Sequence, residues 1–233
     1  MREVDAKTEL LNVIKDIKAY IKAEEEYGIG EILMPGAGAS ETGRASPPSK
    51  FKILLSLKNE VLNCKDCTLH KTRRNVVFGD GDPHAKLVFV GEAPGYDEDL
   101  QGLPFVGQAG KLLTKMIEAM GLSRESVYIC NVLKCRPPEN RQPQPEEVAA
   151  CKGYLLRQIE IISPKVICCL GRHAACALLE TEDPISKIRG KEIDFKGIIL
   201  IPTFHPAYLL RNPSSKREVW EDLKRIKKLL SED

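Results

Sequence analysis

Several groups of residues in this chain have the types and the spacing to do chemistry. Cys64 and Cys67 form a Cys-x-x-Cys pair that puts two thiolates on one turn. Cys135 and Cys151, from a single loop–helix segment, are their natural partners. Four thiolates placed this way can close a tetrahedral sulfur site. Zinc and iron–sulfur both accept such ligands, and spacing alone does not choose between them. The other four of the eight cysteines, Cys130, Cys168, Cys169 and Cys176, lie inside strand or helix patterns and read as core.

Three further segments carry polar groups where an apolar run ends. The first is GEAPGYDED, residues 91–99, a tight Gly/Pro turn whose N–H groups can face an anion or a carbonyl. Its four carboxylates are unfriendly to phosphate but suited to orienting water. LPFVGQAG follows, with Phe105 either in the core or offering a stacking face to a base. The second segment starts at Asn131, an amide at an otherwise apolar strand end that is costly to bury unpaired. It caps a turn or reads a ligand edge. An amide carbonyl beside its own N–H donors can pair with N3–H and O4 of uracil, and cytosine reverses that pattern. The third is TFHPAYLLRNPSS, residues 203–215, in which His205 directly follows a strand and is held by Pro206. Leu209, Leu210 and Arg211 come next. Exposed, they suit a wedge into a DNA stack with an arginine for phosphate; the alternative is a short helix packed on the domain.

The elements that must position these groups are legible as periodicity. Apolar runs Lys86–Val90, Val127–Leu133, Val166–Leu170 and Ile198–Pro202 read as four strands. Helices are expected over 50–62, 110–120, 145–162, 173–179 and 216–230, the third with Pro145 at its start and two glutamates in its first turn. Alternating strands and helices imply a three-layer α/β/α sandwich with a central, mostly parallel four-stranded sheet. Ligands then bind at the carboxyl ends of the strands, so the loops after Val90, Ile129 and Ile201 are the place to look. Ahead of this domain, residues 8–27 carry Leu10, Ile14, Ile17 and Ile21 on one helical stripe, an N-terminal appendage over 1–30 free to dock on the main domain or bind a protein partner. A Gly/Ala/Ser/Pro-rich linker over 31–49 leads into the domain at 50–233.

Composition bounds the rest. With 233 residues, 42% of them hydrophobic, and a net charge of +2, the chain advertises no global field to a polyanion. Basic residues do run together as Lys71, Arg73 and Arg74, as Lys134, Arg136 and Arg141, and as Lys216 and Arg217 with Lys224 to Lys228. The bland reading of each run is a solvated face. The chain has no apolar stretch long enough to span a membrane and no apolar signal core at its start. A cytoplasmic monomer is expected, where surplus cysteine means metal or burial rather than disulfides.

Taken together, GEAPG with its downstream Glu-Asp pair, PFVGQAG, CNVLKCRPPENRQP and HPAYLLR, in this order across about residues 50–230, resemble the family 4 uracil-DNA glycosylases. The resemblance implies a base-excision repair hydrolase acting on uracil in single- or double-stranded DNA. It implies a [4Fe–4S] cluster on Cys64, Cys67, Cys135 and Cys151. It implies a uracil pocket of Glu92, Ala93 and Pro94, with Phe105 stacking, Asn131 reading the edge and His205 at O2. Glu98, or alternatively Tyr96, would exclude the thymine methyl. Family 1 enzymes have an Asp where this chain has Ala93, so Glu92 is the first choice to position water and Glu98 the second. Some relatives trap DNA through a histidine on an inserted loop; none occurs between Cys135 and Cys151 here, which favours turnover. Competing readings are a non-catalytic uracil-DNA-binding module and a zinc-stapled nucleic-acid adaptor.

Overall fold

The computed structural model describes residues 48–232. The helix expected over 8–27, and the linker up to residue 47, lie outside the described residues.

The described residues open with helix α1 (Lys50–Leu62), capped by the Ser49 hydroxyl and burying Leu54, Leu57 and Val61 along one stripe. A two-residue strand β1 (Asp80–Gly81) precedes β2 (Leu87–Gly91). Helices α2 (Tyr96–Gln101) and α3 (Gln108–Ala119) then lead to β3 (Tyr128–Asn131). Helix α4 (Pro145–Ile162) has the bounds expected from sequence and returns the chain to β4 (Val166–Leu170). After α5 (Arg172–Leu179) and the one-turn α6 (Ile185–Ile188) come β5 (Ile193–Phe195) and β6 (Ile198–Thr203). Helices α7 (Pro206–Arg211) and α8 (Lys216–Ser231) close the domain.

The sheet order is β1-β3-β2-β4-β6-β5. The inner four strands are mutually parallel, and β1 and β5 run antiparallel at the two edges. The sheet thus has six strands rather than the expected four. Both additions are too short to show a period of two. They shield edges that would otherwise offer unpaired backbone groups. The β5–β6 connection is a two-residue turn, Lys196–Gly197, with both φ values positive (55° and 83°), the geometry that matches the twist of a hairpin.

Strand side chains alternate between two cores. Val88, Val90, Tyr128, Cys130, Ile167, Cys169 and Leu200 face α1, α4 and α5. Leu87, Phe89, Ile129, Val166, Cys168, Leu170 and Ile201 face α3, α7 and α8. Burial on both faces is why these strands read as continuous apolar runs. It also accounts for three of the four cysteines expected in the core: Cys130, Cys168 and Cys169 are buried, and burial pushes their thiols up. Cys176 is only partly buried on α5.

Register decides what meets at the top of the sheet. Gly91 pairs with Asn131, and Leu170 with Thr203. The carboxyl ends of four parallel strands therefore lie side by side, and the residues just beyond them share one cleft.

Candidate active site

That cleft has a volume of about 580 Å³ and gathers Glu92, Phe105, Asn131, His173 and His205 along its walls. Gly91 makes the arrangement possible. A Cβ there would collide with Asn131 Oδ1 and with the Phe105 ring, so only glycine lets the end of β2 approach both. Phe105 itself sits at φ 52°, a left-handed backbone unusual for an aromatic residue. Its ring is buried and lies 5.7 Å from the His205 ring, tilted by 32°. A bulky residue held this way at a cleft wall marks a place where backbone strain fixes a side chain for use.

Asn131 is 2% exposed, and its Oδ1 is buried with no hydrogen-bond partner. An orphaned buried acceptor carries a desolvation cost, of about 1–3 kcal/mol, that a ligand N–H would relieve. Behind it, Lys134 is also buried and its Nζ donates to the Asn131 carbonyl at 2.7 Å and to Gln158 Oε1. This corrects the reading of Lys134 as part of a surface basic run.

The two cleft histidines are pushed in opposite directions. Burial, above all, depresses His205 to about 4. Its Nδ1 accepts the Ala207 N–H at 3.1 Å, as the N-cap of α7, so the neutral ring carries its proton on Nε2. His173 Nδ1 lies 2.8 Å from Glu92 Oε2, and that hydrogen bond raises its pKa above the ordinary histidine value. Opposed shifts on neighbouring titratable groups are a mark of acid–base assignment in a site. His173 follows β4, whose loop was passed over among the sequence expectations. The rule that pointed to the other three loops applies equally to Gly171–His173.

Other expected residues divide. Ala93 and Pro94 line the cleft, as does Arg211. Glu98 reaches its edge, but its carboxylate is engaged by backbone: Oε2 accepts from Gly95 N at 3.1 Å, and Oε1 from Val106 N at 2.8 Å and Gly107 N at 2.9 Å. It pins the two cleft loops together. Tyr96 is not among the cleft-lining residues. Leu209 is 1% exposed and packs into the core beneath α7, whereas Leu210 is 48% exposed. The helical register of α7 turns Leu209 to the core and Leu210 to solvent, so Leu209 is removed from the expected DNA wedge.

Cys64, Cys67, Cys135 and Cys151 line one cavity beside the cleft. Arg73 Nη1 donates to Cys135 Sγ at 3.1 Å and the Lys134 amide to Cys151 Sγ at 3.3 Å. Ala93, on the cleft loop, packs against the Leu133, Cys135 and Cys151 cluster. Among the described residues no three His, Cys, Asp or Glu side chains are set to hold a single metal ion, and no helix is long and apolar enough to cross a membrane.

The sequence matches known proteins. A family model for the uracil DNA glycosylase superfamily matches residues 78–224. The type-4 uracil-DNA glycosylase of Thermotoga maritima is 50% identical over 189 residues, covering 79% of this chain and 98% of the relative. That of Archaeoglobus fulgidus is 51% identical over 178 residues, covering 73% and 89%. That of Sulfurisphaera tokodaii is 50% identical over 185 residues, covering 76% and 84%. Because a superfamily model spans most of the folded domain and these relatives match nearly all of it, the chain belongs to the uracil DNA glycosylase superfamily, among its type-4 enzymes.

Proposed function

We propose a division of labour in the cleft for a glycosylase that releases uracil from DNA and leaves an abasic site. The observation that carries it is the orphaned Asn131 Oδ1, on a residue that lines the same cleft as Phe105 and His205. Uracil N3–H donates to Oδ1 while the Asn131 amide donates to O4. Phe105 stacks on the ring. The base enters after leaving the helix stack, with exposed Leu210 filling the gap and Arg211 meeting phosphate.

The N1–C1′ bond breaks with both electrons going to uracil. Charge on O2 is met by His205 Nε2–H, a donor already in place and neutral. Glu92, one oxygen held by His173, offers the other to a water that adds to C1′ and gives its proton to the carboxylate. Glu98, consumed by three amides, excludes the thymine methyl by position rather than acting on water.

An assay on matched oligonucleotides tests this reading. Uracil-DNA should yield alkali-cleavable abasic sites, and cytosine- or thymine-DNA should not. Asn131→Asp replaces the amide donor with an acceptor. It should cut uracil release by about tenfold to a hundredfold, the worth of a charge-sensitive buried hydrogen bond, and raise the cytosine-to-uracil ratio. A wild-type protein that leaves uracil-DNA intact overturns the proposal.

The four cleft-side thiols fit a [4Fe–4S] cluster. Such a cluster takes four cysteine thiolates, and these four line one cavity. Lys134, buried with no carboxylate among its hydrogen-bond partners, and Arg73 supply the cations that an anionic thiolate centre needs. When bound, the cluster serves as a structural tie between the Cys64–Cys67 segment and the loop carrying Arg136, Pro137 and Asn140. Cys135→Ser should abolish the visible absorbance of the purified protein. It should also lower Tm by about 10 °C, on a scale of roughly 2–4 °C per kcal/mol for a domain of this size. A colourless wild-type protein containing zinc would replace the cluster with a zinc staple.

A further inference from the structure

The basic residues that run together in sequence separate in space. Arg73 turns inward to Cys135 Sγ and to the carbonyls of Leu62 and Cys64. Lys134 is buried, and Arg141 is gripped by Glu147 through two bonds of 2.9 and 2.6 Å. Arg74 and Arg136, from two different runs, instead converge on one ring. Their guanidinium carbons lie 5.7 and 5.1 Å from the centre of Tyr96. Tyr96 is 49% exposed and directly follows Gly95, a residue of the cleft wall.

Arg74 is anchored through its backbone and Arg136 through its side chain, and neither guanidinium is neutralised. The Arg74 backbone N–H is tied to buried Asp99 Oδ1 at 2.9 Å, and Arg136 Nε donates to Asn140 Oδ1 at 2.7 Å. Asn140 also lines the cleft. Among the described residues no carboxylate forms an ion pair with either guanidinium. The acidic neighbour in sequence, Asp97, turns its carboxylate towards Gly107. Two like charges held near one exposed aromatic ring repel each other unless an anion joins them. The planar guanidinium fork matches phosphate oxygens.

We propose that Tyr96, Arg74 and Arg136 form a phosphate clamp for the DNA strand that carries the uracil, gripping the backbone beside the flipped nucleotide. The proposal rests on the glycosylase reading and adds to it the surface that holds the strand. Contacts to phosphate fix register and orientation and carry no sequence information. The clamp therefore acts on DNA affinity and its salt dependence, and its loss falls on KM rather than on kcat.

Fluorescence anisotropy with a labelled single-stranded oligonucleotide bearing a tetrahydrofuran abasic analogue measures this directly. For single strands each phosphate contact adds about 0.7 to the slope of log Kd against log salt. Arg74→Gln with Arg136→Gln should flatten the slope by about 1.4. Tyr96→Ala should weaken binding severalfold while Tyr96→Phe retains it, a comparison that leaves every charge in place. Removing two charges from α8, Lys227→Gln with Lys228→Gln, should leave the slope unchanged. An unflattened slope in the double arginine variant, or equal flattening in the α8 variant, overturns the clamp. A wild-type protein that neither binds this probe nor releases uracil overturns the glycosylase reading instead.

Discussion

His205→Ala lowers the single-turnover rate of uracil release by about a hundredfold to a thousandfold, the usual cost of removing one preorganised donor from a developing anion. The argument starts from local structure. His205 caps α7, and the Ala207 N–H it accepts leaves Nε2 as the protonated nitrogen. Burial then holds the ring neutral, with a pKa of about 4. A neutral imidazole is the better partner here, because a cation close to the sugar would oppose the positive charge that forms at C1′. Two consequences follow for pH. Between about pH 5 and 8 the rate should show no ionisation from His205, since the group titrates below that window. The unfolded chain, with an ordinary histidine, takes up a proton before the folded one does. This residue's contribution to stability is therefore fully present above about pH 6.5 and is lost as pH falls towards 4. A rate profile for the wild type that falls with a midpoint near 6.5, and that loses this limb in His205→Ala, would sink the neutral-donor assignment. His205→Gln, which can still present an N–H, should recover part of the rate and so separates donation from packing against Phe105.

The parallel strands could be read as apolar runs because burial on both faces removes alternation and leaves Val, Ile, Leu and Cys in sequence. Helix α4 was legible to the residue because Pro145 starts it and a polar segment follows Ile162. Strands β1 and β5 were not, since two or three residues carry no period. Nor was α2 assigned as a helix, and at α7 a short packed helix stood only as the alternative to an exposed wedge, for six residues make under two turns. The side taken by Leu209 against Leu210 depends on that missing helical phase. The candidate site was half visible for a related reason. Each strand-end loop announces itself by Gly or Pro, but which loops are neighbours depends on strand order. The sequence runs β2, β3, β4, β6 while the sheet runs β3, β2, β4, β6. Only that order sets β4 beside β2 and brings His173 against Glu92. Lys134 fails for a different reason. A lysine in a basic run reads as solvated, and only the carbonyl of Asn131 and the side chain of Gln158 explain its burial.

Glu92→Gln should reduce the single-turnover rate by about a hundredfold to ten-thousandfold, the span assigned to a positioned acid or base, with little change in DNA affinity. The substitution keeps shape and removes the charge proposed to accept the water proton. The expectation depends on His173. With Oε2 bound to His173 Nδ1 at 2.8 Å, the carboxylate is fixed in rotation, and its other oxygen is held for water. A carboxylate rotating freely at a half-exposed site would spend much of its time misaligned, and small misplacements are costly in rate. His173→Ala should accordingly cost less than Glu92→Gln, about tenfold on this reasoning, and should act on kcat. His173→Asn, which can donate from nearly the same place, should restore most of it. The pairing has its own readout in proton NMR. The hydrogen bond to Glu92 is the largest cause raising the His173 pKa, so in Glu92→Gln that pKa should fall towards the ordinary histidine value. The sign follows from the pair itself: loss of the carboxylate removes what favoured the imidazolium, while burial and Arg172, which oppose it, remain. An unshifted His173 would show that the two side chains are neighbours without being partners. Full turnover in Glu92→Gln would move the water-positioning role away from this carboxylate altogether.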